Sequence, residues 1–165
     1  MTEENKHLIE GMVRIANAYK NAVEVLEIGN GIIKHLGGQQ GVTIEGKPIE
    51  FDSVILSKIV LVAIDIEILL KAINLADNDA VGKDHDWTRL FGTLPPSRQQ
   101  EIKNAMPQQF QKDFDALLDN NKDAFVRWRY SYEFNNLTCN WTFIHSLANV
   151  LAVIAINLAK QNSNA

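Results

Sequence analysis

The stretch Val54-Ile55-Leu56-Ser57-Lys58-Ile59-Val60-Leu61-Val62-Ala63-Ile64-Asp65-Ile66-Glu67-Ile68-Leu69-Leu70-Lys71-Ala72-Ile73-Asn74-Leu75-Ala76 decides the fold. Seventeen of its 23 residues are apolar. They are spread all round a helical wheel rather than along one stripe, so the segment reads as a helix buried on nearly every side. Asp52 or Ser53 can cap its start. It does not read as a membrane span. Lys58, Asp65, Glu67 and Lys71 interrupt it, and its longest pure apolar run is Ile59 to Ile64. A span needs about twenty predominantly apolar residues, and each charge near the bilayer centre costs about 2.5–3.5 kcal/mol. Such a helix is the centre of a bundle, and the rest of the chain must supply the walls.

Toward the N-terminus, Leu8, Ile9, Met12, Val13, Ile15, Ala16, Tyr19, Val23, Leu26, Ile28, Ile32 and Ile33 keep helical spacing from about Glu3 to His35, and Gly37-Gly38 ends the pattern. The segment Val42 to Phe51 alternates apolar and polar residues around Glu45-Gly46-Lys47-Pro48 and predicts a small β-hairpin over residues 42–51. Toward the C-terminus, Asp77 to Asp84 is a polar turn. Trp87 to Phe91 reads as a short helix after Asp86, and Pro95-Pro96 with Ser97 opens another that ends near Ala105 or Met106. Phe110, Phe114, Leu117 and Leu118 mark an amphipathic helix stopped at Asn120-Asn121. Two further helices run from Lys122 to about Phe134 and from about Asn140 to Lys160. The expectation is an all-α fold: one domain over residues 1–165, an antiparallel bundle of four main helices plus short ones, with the hairpin inserted.

The composition fits that class. The 165 residues are 46% apolar and 22% charged, enough for one core and too apolar for a disordered chain. The net charge of −4 argues against non-specific duplex DNA binding, which runs on phosphate neutralisation. One cysteine, Cys139, offers neither an intramolecular disulfide nor a multi-cysteine metal site. The first residues, Met1-Thr2-Glu3-Glu4-Asn5-Lys6-His7, carry acids where an export signal has a basic start, so the expected location is cytoplasmic. The glycosylation sequons at Asn136 and Asn140 then have no compartment in which to act.

Several residues could carry chemistry. Asp65, Glu67 and Lys71 lie inside the most apolar helix, where an unpaired charge costs several kcal/mol, so they are expected to find partners. Glu67 and Lys71 are four apart with the acid first, which brings them to one face. That spacing suits a surface pair or a buried network with charges from elsewhere. Arg127-Trp128-Arg129-Tyr130-Ser131-Tyr132-Glu133 is the densest functional-looking run. Its arginines either pair with bundle carboxylates such as Glu67 or hold a phosphate or base. His85 between Asp84 and Asp86 reads as a structural histidine beside a capping aspartate, and Thr142, His145 and Asn149 form a polar stripe on the last helix. No phosphate loop, nucleophile elbow or paired-histidine metal motif is present, so no cofactor and no metal are expected.

The order Ile64-Asp65-Ile66-Glu67-Ile68-Leu69-Leu70-Lys71, then Gly82-Lys83-Asp84-His85-Asp86-Trp87-Thr88-Arg89-Leu90-Phe91 with Leu94-Pro95-Pro96, then Phe125-Val126-Arg127-Trp128-Arg129-Tyr130-Ser131-Tyr132-Glu133, resembles the HEPN-like helical proteins of bacteria over roughly residues 50–135. The resemblance implies a helical bundle, a homodimer, and links to nucleotide or RNA binding, toxin–antitoxin pairs and phage defence. Many members of that superfamily are ribonucleases with an Arg followed, after four to six intervening residues, by a His. Here the residues after Arg127 are Tyr132, Glu133 and Phe134; after Arg129 they are Phe134, Asn135 and Asn136; after Arg14 they are Tyr19, Lys20 and Asn21. None is His, so the usual imidazole for moving the proton is absent. The first reading is therefore a non-catalytic module whose polar patch joins Glu67, Lys71, His85, Arg127, Arg129, Tyr130 and Glu133 and binds a nucleotide, RNA or a protein. Its alternative is a metal-independent ribonuclease using His85 or His145 as acid/base, with Arg129 stabilising charge. A third reading is a partner protein whose acidic surface covers a basic toxin.

Overall fold

The structure is a computed structural model that describes residues 2–34, 53–130 and 139–163. Every regular element among them is helical: α1 (Glu3–Lys34), α2 (Ser53–Asn78), α3 (Trp87–Gly92), α4 (Pro96–Ala105), α5 (Gln108–Gln111), α6 (Phe114–Asn121), α7 (Ala124–Arg129) and α8 (Trp141–Ser163). The fold is all-α. The hairpin expected over residues 42–51 and the Gly37-Gly38 stop lie outside the described residues.

Helix α2 is the central element, packed against α1, α8, α7 and α3. Ile59, Val62, Ala63, Ile66, Leu69, Leu70, Ala72, Ile73 and Leu75 are all buried, so its apolar residues face neighbours in several directions. Helix α1 contributes one stripe, Ile9, Val13, Ala16 and Val23, and leaves Leu8 and Ile15 exposed. Helix α8 contributes Phe143, Ile144, Leu147, Ala148, Leu151, Ala152, Ile154 and Ala155 to the same core.

Residues 141–161 of α8 are long and apolar enough to cross a membrane by length and composition. Phe143, Ile144, Leu147, Ala148, Leu151, Ala152, Ile154 and Ala155 of this helix are buried in the core, while Thr142, Val153, Asn157 and Lys160 are exposed.

Among the described residues the long helices are α1, α2 and α8, with shorter helices between α2 and α8. Two segments differ from the reading of the sequence. The single helix expected around Phe110 to Leu118 is split into α5 and α6 by a turn at Lys112 and Asp113. The break lets Phe110 and Phe114 both reach Phe143, each with ring centroids 5.7 Å apart, while Phe114 also meets Phe91 at 5.3 Å. Aromatic packing at such distances outweighs the few tenths of a kcal/mol by which local propensity favours continuity. The helix expected from Lys122 begins instead at Ala124. The Lys122 carbonyl accepts the Trp87 N–H at 3.0 Å rather than serving as the first acceptor of a helix. The end of that segment, residues 131–138, lies outside the described residues.

The turn between α2 and α3 is tied down at both ends. Asp79 adopts φ 52° and its N–H bonds to the Leu75 carbonyl at 3.1 Å, a left-handed end to α2 that Asp tolerates better than most side chains. Asn74, 2% exposed, donates from Nδ2 to the carbonyls of Leu70 and Leu90, and its Oδ1 accepts from Thr93 Oγ1 and Asn78 Nδ2. This satisfied buried network fastens α3 to α2. Arg98 adds a two-pronged pair with Asp77, Nε to Oδ2 at 2.8 Å and Nη2 to Oδ1 at 3.0 Å, that fastens α4 to the same end.

Candidate functional site

The fastened turn carries His85 back to the middle of α2. Its Nδ1 lies 2.8 Å from Glu67 Oε1, and the same oxygen accepts Lys71 Nζ at 2.7 Å. The Glu67 side chain is only 8% exposed and that of Lys71 15%, whereas that of His85 is 61% exposed. The pair is therefore not a solvated helix-surface pair. It is a buried carboxylate that collects one cation from its own helix and one imidazole from a turn 18 residues away. Glu67 Oε2, also buried, has no hydrogen-bond partner among the described residues.

The residues around His85 fix its backbone. Asp84 Oδ1 accepts the backbone N–H of both His85 and Asp86, at 2.9 and 3.0 Å, while its Oδ2 meets Arg89 at 3.2 Å. The Asp86 N–H bond above all, then those from Arg89 and His85, holds the Asp84 carboxyl below the usual carboxylate range. Asp86 caps α3 as expected, with Oδ1 accepting Thr88 N at 2.8 Å and Arg89 N at 3.2 Å. Burial alone would raise its carboxyl, but these bonds and that from the Thr88 hydroxyl hold it below the usual range. His85 is thus more than a structural histidine beside a cap. It is an exposed ring with one nitrogen held on a buried carboxylate, the arrangement that orients the other nitrogen outward.

Close approach matters at one glycine in this turn. A Cβ on Gly82 would lie 2.5 Å from Leu90 Cδ2, and Leu90 is buried in the core, so the turn passes over α3 only because Gly82 lacks a side chain.

The structure brings Glu67, Lys71 and His85 together, and the described remainder of the expected patch lies at α7, which packs on α2. Arg127 is on α7, where Nη1 lies 3.8 Å from Asp123 Oδ1, its carboxylate neighbour four residues back, in place of the pairing with Glu67 that the sequence suggested. Arg129 is exposed and stacks its guanidinium over the rings of Phe125 and Tyr130, 5.7 and 5.0 Å from their centroids. Tyr130 follows α7 as its capping residue, and Glu133 lies outside the described residues. On α8, His145 stacks on Trp141 with centroids 5.4 Å apart, and the Asn149 side chain donates to the His145 carbonyl at 3.0 Å.

Two features carried no signal strong enough to read from the sequence. Asp65 has no hydrogen-bonded partner among the described residues of the kind expected of it: it is 4% exposed and its Oδ1 has no hydrogen bond to them. Burial pushes its carboxyl up to about 7, opposed by the field of Lys20 on α1. Protonation, rather than pairing, relieves the buried charge. The other is a cavity of about 700 Å³ lined by Leu117, Asn120, Asn121, Arg127, Cys139, Asn140 and Trp141. It joins α6, α7 and the start of α8, and none of Glu67, Lys71 or His85 lines it. Burial pushes the Cys139 thiol up to about 12, which leaves it an inert part of the wall.

Among the described residues, no three His, Cys, Asp or Glu side chains come together as metal ligands. No family model, curated protein or solved structure matches this chain.

Proposed function

We infer that the protein is a non-catalytic HEPN-like module that binds a phosphate-bearing ligand, an RNA or a nucleotide, through the surface at Lys71 and His85. The observation that carries this reading is the buried Glu67 carboxylate holding both nitrogens, at 2.7 and 2.8 Å. A carboxylate so placed pre-orders the Lys71 ammonium, so a ligand phosphate meets a donor that needs little further ordering, beside an imidazole whose second nitrogen faces outward. Helix α7, which packs on α2, adds Arg129 and Tyr130 as a stacked cation and ring suited to a base. The reading includes an antiparallel four-helix bundle with the 42–51 hairpin, a cytoplasmic homodimer and a place in toxin–antitoxin or phage-defence systems.

The test is melting of the purified protein against short RNAs and nucleotides, with RNA integrity read on a gel from the same tubes. A ligand of the native state at a hundred times its dissociation constant adds about 2.7 kcal/mol. Stabilisation with intact RNA, lost in Lys71→Ala and in His85→Ala, supports the module. A melt that no RNA or nucleotide shifts sinks it.

One observation favours the ribonuclease alternative. Nδ1 of His85 on a carboxylate, with the ring otherwise exposed, is how an acid/base histidine is oriented. RNA degraded by wild type and spared by His85→Gln would establish that reading in place of the first.

A further inference from the structure

The two nitrogens of the His85 ring are in different situations. An ionised carboxylate only accepts, so the 2.8 Å bond to Glu67 Oε1 puts a hydrogen on Nδ1. In the neutral ring the lone pair is then on Nε2, carried by a side chain 61% exposed. The Glu67 side chain is 8% exposed and meets Lys71 Nζ at 2.7 Å through the same oxygen. The backbone beneath the ring is fixed as well, since Asp84 Oδ1 accepts the N–H groups of both His85 and Asp86. A ring held through one nitrogen, with the lone pair of the other on the exposed side chain, is oriented to attack an electrophile that arrives from solvent.

The charges nearby say which electrophile. Attack through Nε2 leaves positive charge on the ring, and the Glu67 carboxylate at Nδ1–H is placed to stabilise that charge as it develops. Lys71 shares its carboxylate oxygen with the ring, and Arg89, with a side chain 73% exposed, is tied to Asp84, the residue next to His85, at 3.2 Å. The acids of the turn are committed to donors: Asp84 Oδ2 to Arg89, and Asp86 Oδ1 to the N–H groups of Thr88 and Arg89. Cations beside a nitrogen nucleophile suit a phosphoryl group, whose oxygens arrive already charged.

We propose that His85 is a phosphoryl-acceptor site: its Nε2 takes a phosphoryl group from a reactive donor, an acyl phosphate or a phosphoramidate, with Glu67 as the positioning residue and Lys71 and Arg89 receiving the phosphoryl oxygens. The Nε2–P bond forms as the donor's P–O or P–N bond breaks. The bonding pair leaves with the carboxylate or, from phosphoramidate, with ammonia that already carries its protons. Nothing is oxidised or reduced, and the Nδ1 proton stays between the ring and Glu67. The proposal rests on the RNA reading for one premise, that phosphate is met at Lys71 and His85, and needs no RNA.

Full-length protein is incubated with phosphoramidate and, separately, with acetyl phosphate, and the label is mapped by mass spectrometry at alkaline pH and by phosphorus NMR. His7, with a side chain 77% exposed and Nδ1 3.8 Å from Glu10, is the internal reference. The expected result is labelling of His85 at Nε2, by at least one of the donors, about tenfold or more faster than labelling of His7. Glu67→Gln keeps a carbonyl oxygen for Nδ1 but loses the charge. It is expected to slow His85 labelling by about tenfold, with Nε2 still the labelled atom and the His7 rate unchanged. Should Glu67→Gln melt early, Arg89→Gln, at an exposed position, must still slow the labelling several-fold. Labelling of His85 no faster than that of His7 overturns the proposal. So does a label on Nδ1, and so does a rate unchanged in both Glu67→Gln and Arg89→Gln. Melting of the unmodified protein with RNA separates the two readings: an RNA-dependent shift in a protein whose His85 takes no label overturns this proposal alone, and a labelled His85 with no such shift overturns the RNA reading alone.

Discussion

Asp65 and Glu67 stand two residues apart on one helix, both nearly fully buried, and meet opposite fates. Glu67 turns toward the α2–α3 turn and receives Lys71 and His85. Asp65, among the described residues, receives the field of Lys20 on α1 and keeps an Oδ1 with no hydrogen bond. A step of two along a helix is a rotation of about 200°, so residues adjacent in the text live in different environments. Burial alone does not make a carboxylate functional; the donors brought to it decide what it does.

The largest way to break this contrast is to remove the paired acid. Glu67→Ala leaves Lys71, with its side chain 15% exposed, beside a gap where its carboxylate stood. Taking one partner from a buried pair costs about 3 kcal/mol. Urea unfolding at pH 7 measures it. A loss below about 0.5 kcal/mol would mean that Glu67 is wet and the pair is ordinary surface charge.

The orphan acid predicts an effect of opposite sign. Folded Asp65 binds its proton up to about pH 7, whereas in the unfolded chain it releases it near 3.8. Between those values the native state holds the extra proton, so stability is greatest at the acid end of the window and falls as pH rises toward 7. Above 7 the cost of the buried charge is fully present. Asp65→Asn removes that titration, and the variant is expected to be more stable than wild type by about 2 kcal/mol at pH 8, with a flatter profile between pH 5 and 8. Chemical unfolding of both proteins at half-unit pH steps reads this directly. Parallel profiles would show that Asp65 has a charge partner after all.

How much of this was legible differs along the chain for physical reasons. The buried helix was plain because the apolar residues from Val54 to Ala76 leave no room for a wet face. The Asp86 cap was plain because capping is local: side chain and N–H groups lie within three residues. The split at Lys112 and Asp113 was not, since it follows from Phe143, some thirty positions away, drawing in two rings. The resemblance placed Glu67, Lys71 and His85 in one patch, and spacing alone joined only the first two. That Asp65 would go without a partner could not be read, because the rule that buried charges are paired leaves protonation as the other solution. The cavity was hidden for a different reason: Asn120, Asn121 and Asn140 read as helix punctuation, and only the packing of α6, α7 and α8 turns them toward one opening.

The turn that delivers His85 can be sharpened next. Gly82→Ala places a methyl group 2.5 Å from Leu90 Cδ2, which must shift within a packed core. Overpacking of this kind costs about 1–2 kcal/mol. The variant is also expected to displace His85 from Glu67, seen as a change in the His85 ring resonances by NMR. Unchanged stability and unchanged resonances would mean that Leu90 yields freely and the turn is not held by that contact.

The smallest effect on stability is expected from His85 itself, and it separates the two partners of Glu67. Lys71 is the buried neighbour and His85 the exposed one, so the carboxylate keeps its internal cation when the imidazole is lost. His85→Gln, which retains a polar side chain at an exposed position, is expected to change unfolding free energy by less than about 0.5 kcal/mol. If the imidazole is there for a ligand, the RNA-dependent shift in melting must fall in this variant while the melt of the free protein stays put. A drop of 2 kcal/mol or more in the free protein would instead make His85 a structural counterpart of Lys71, and Glu67 a buried junction whose whole purpose is to fasten the turn to α2.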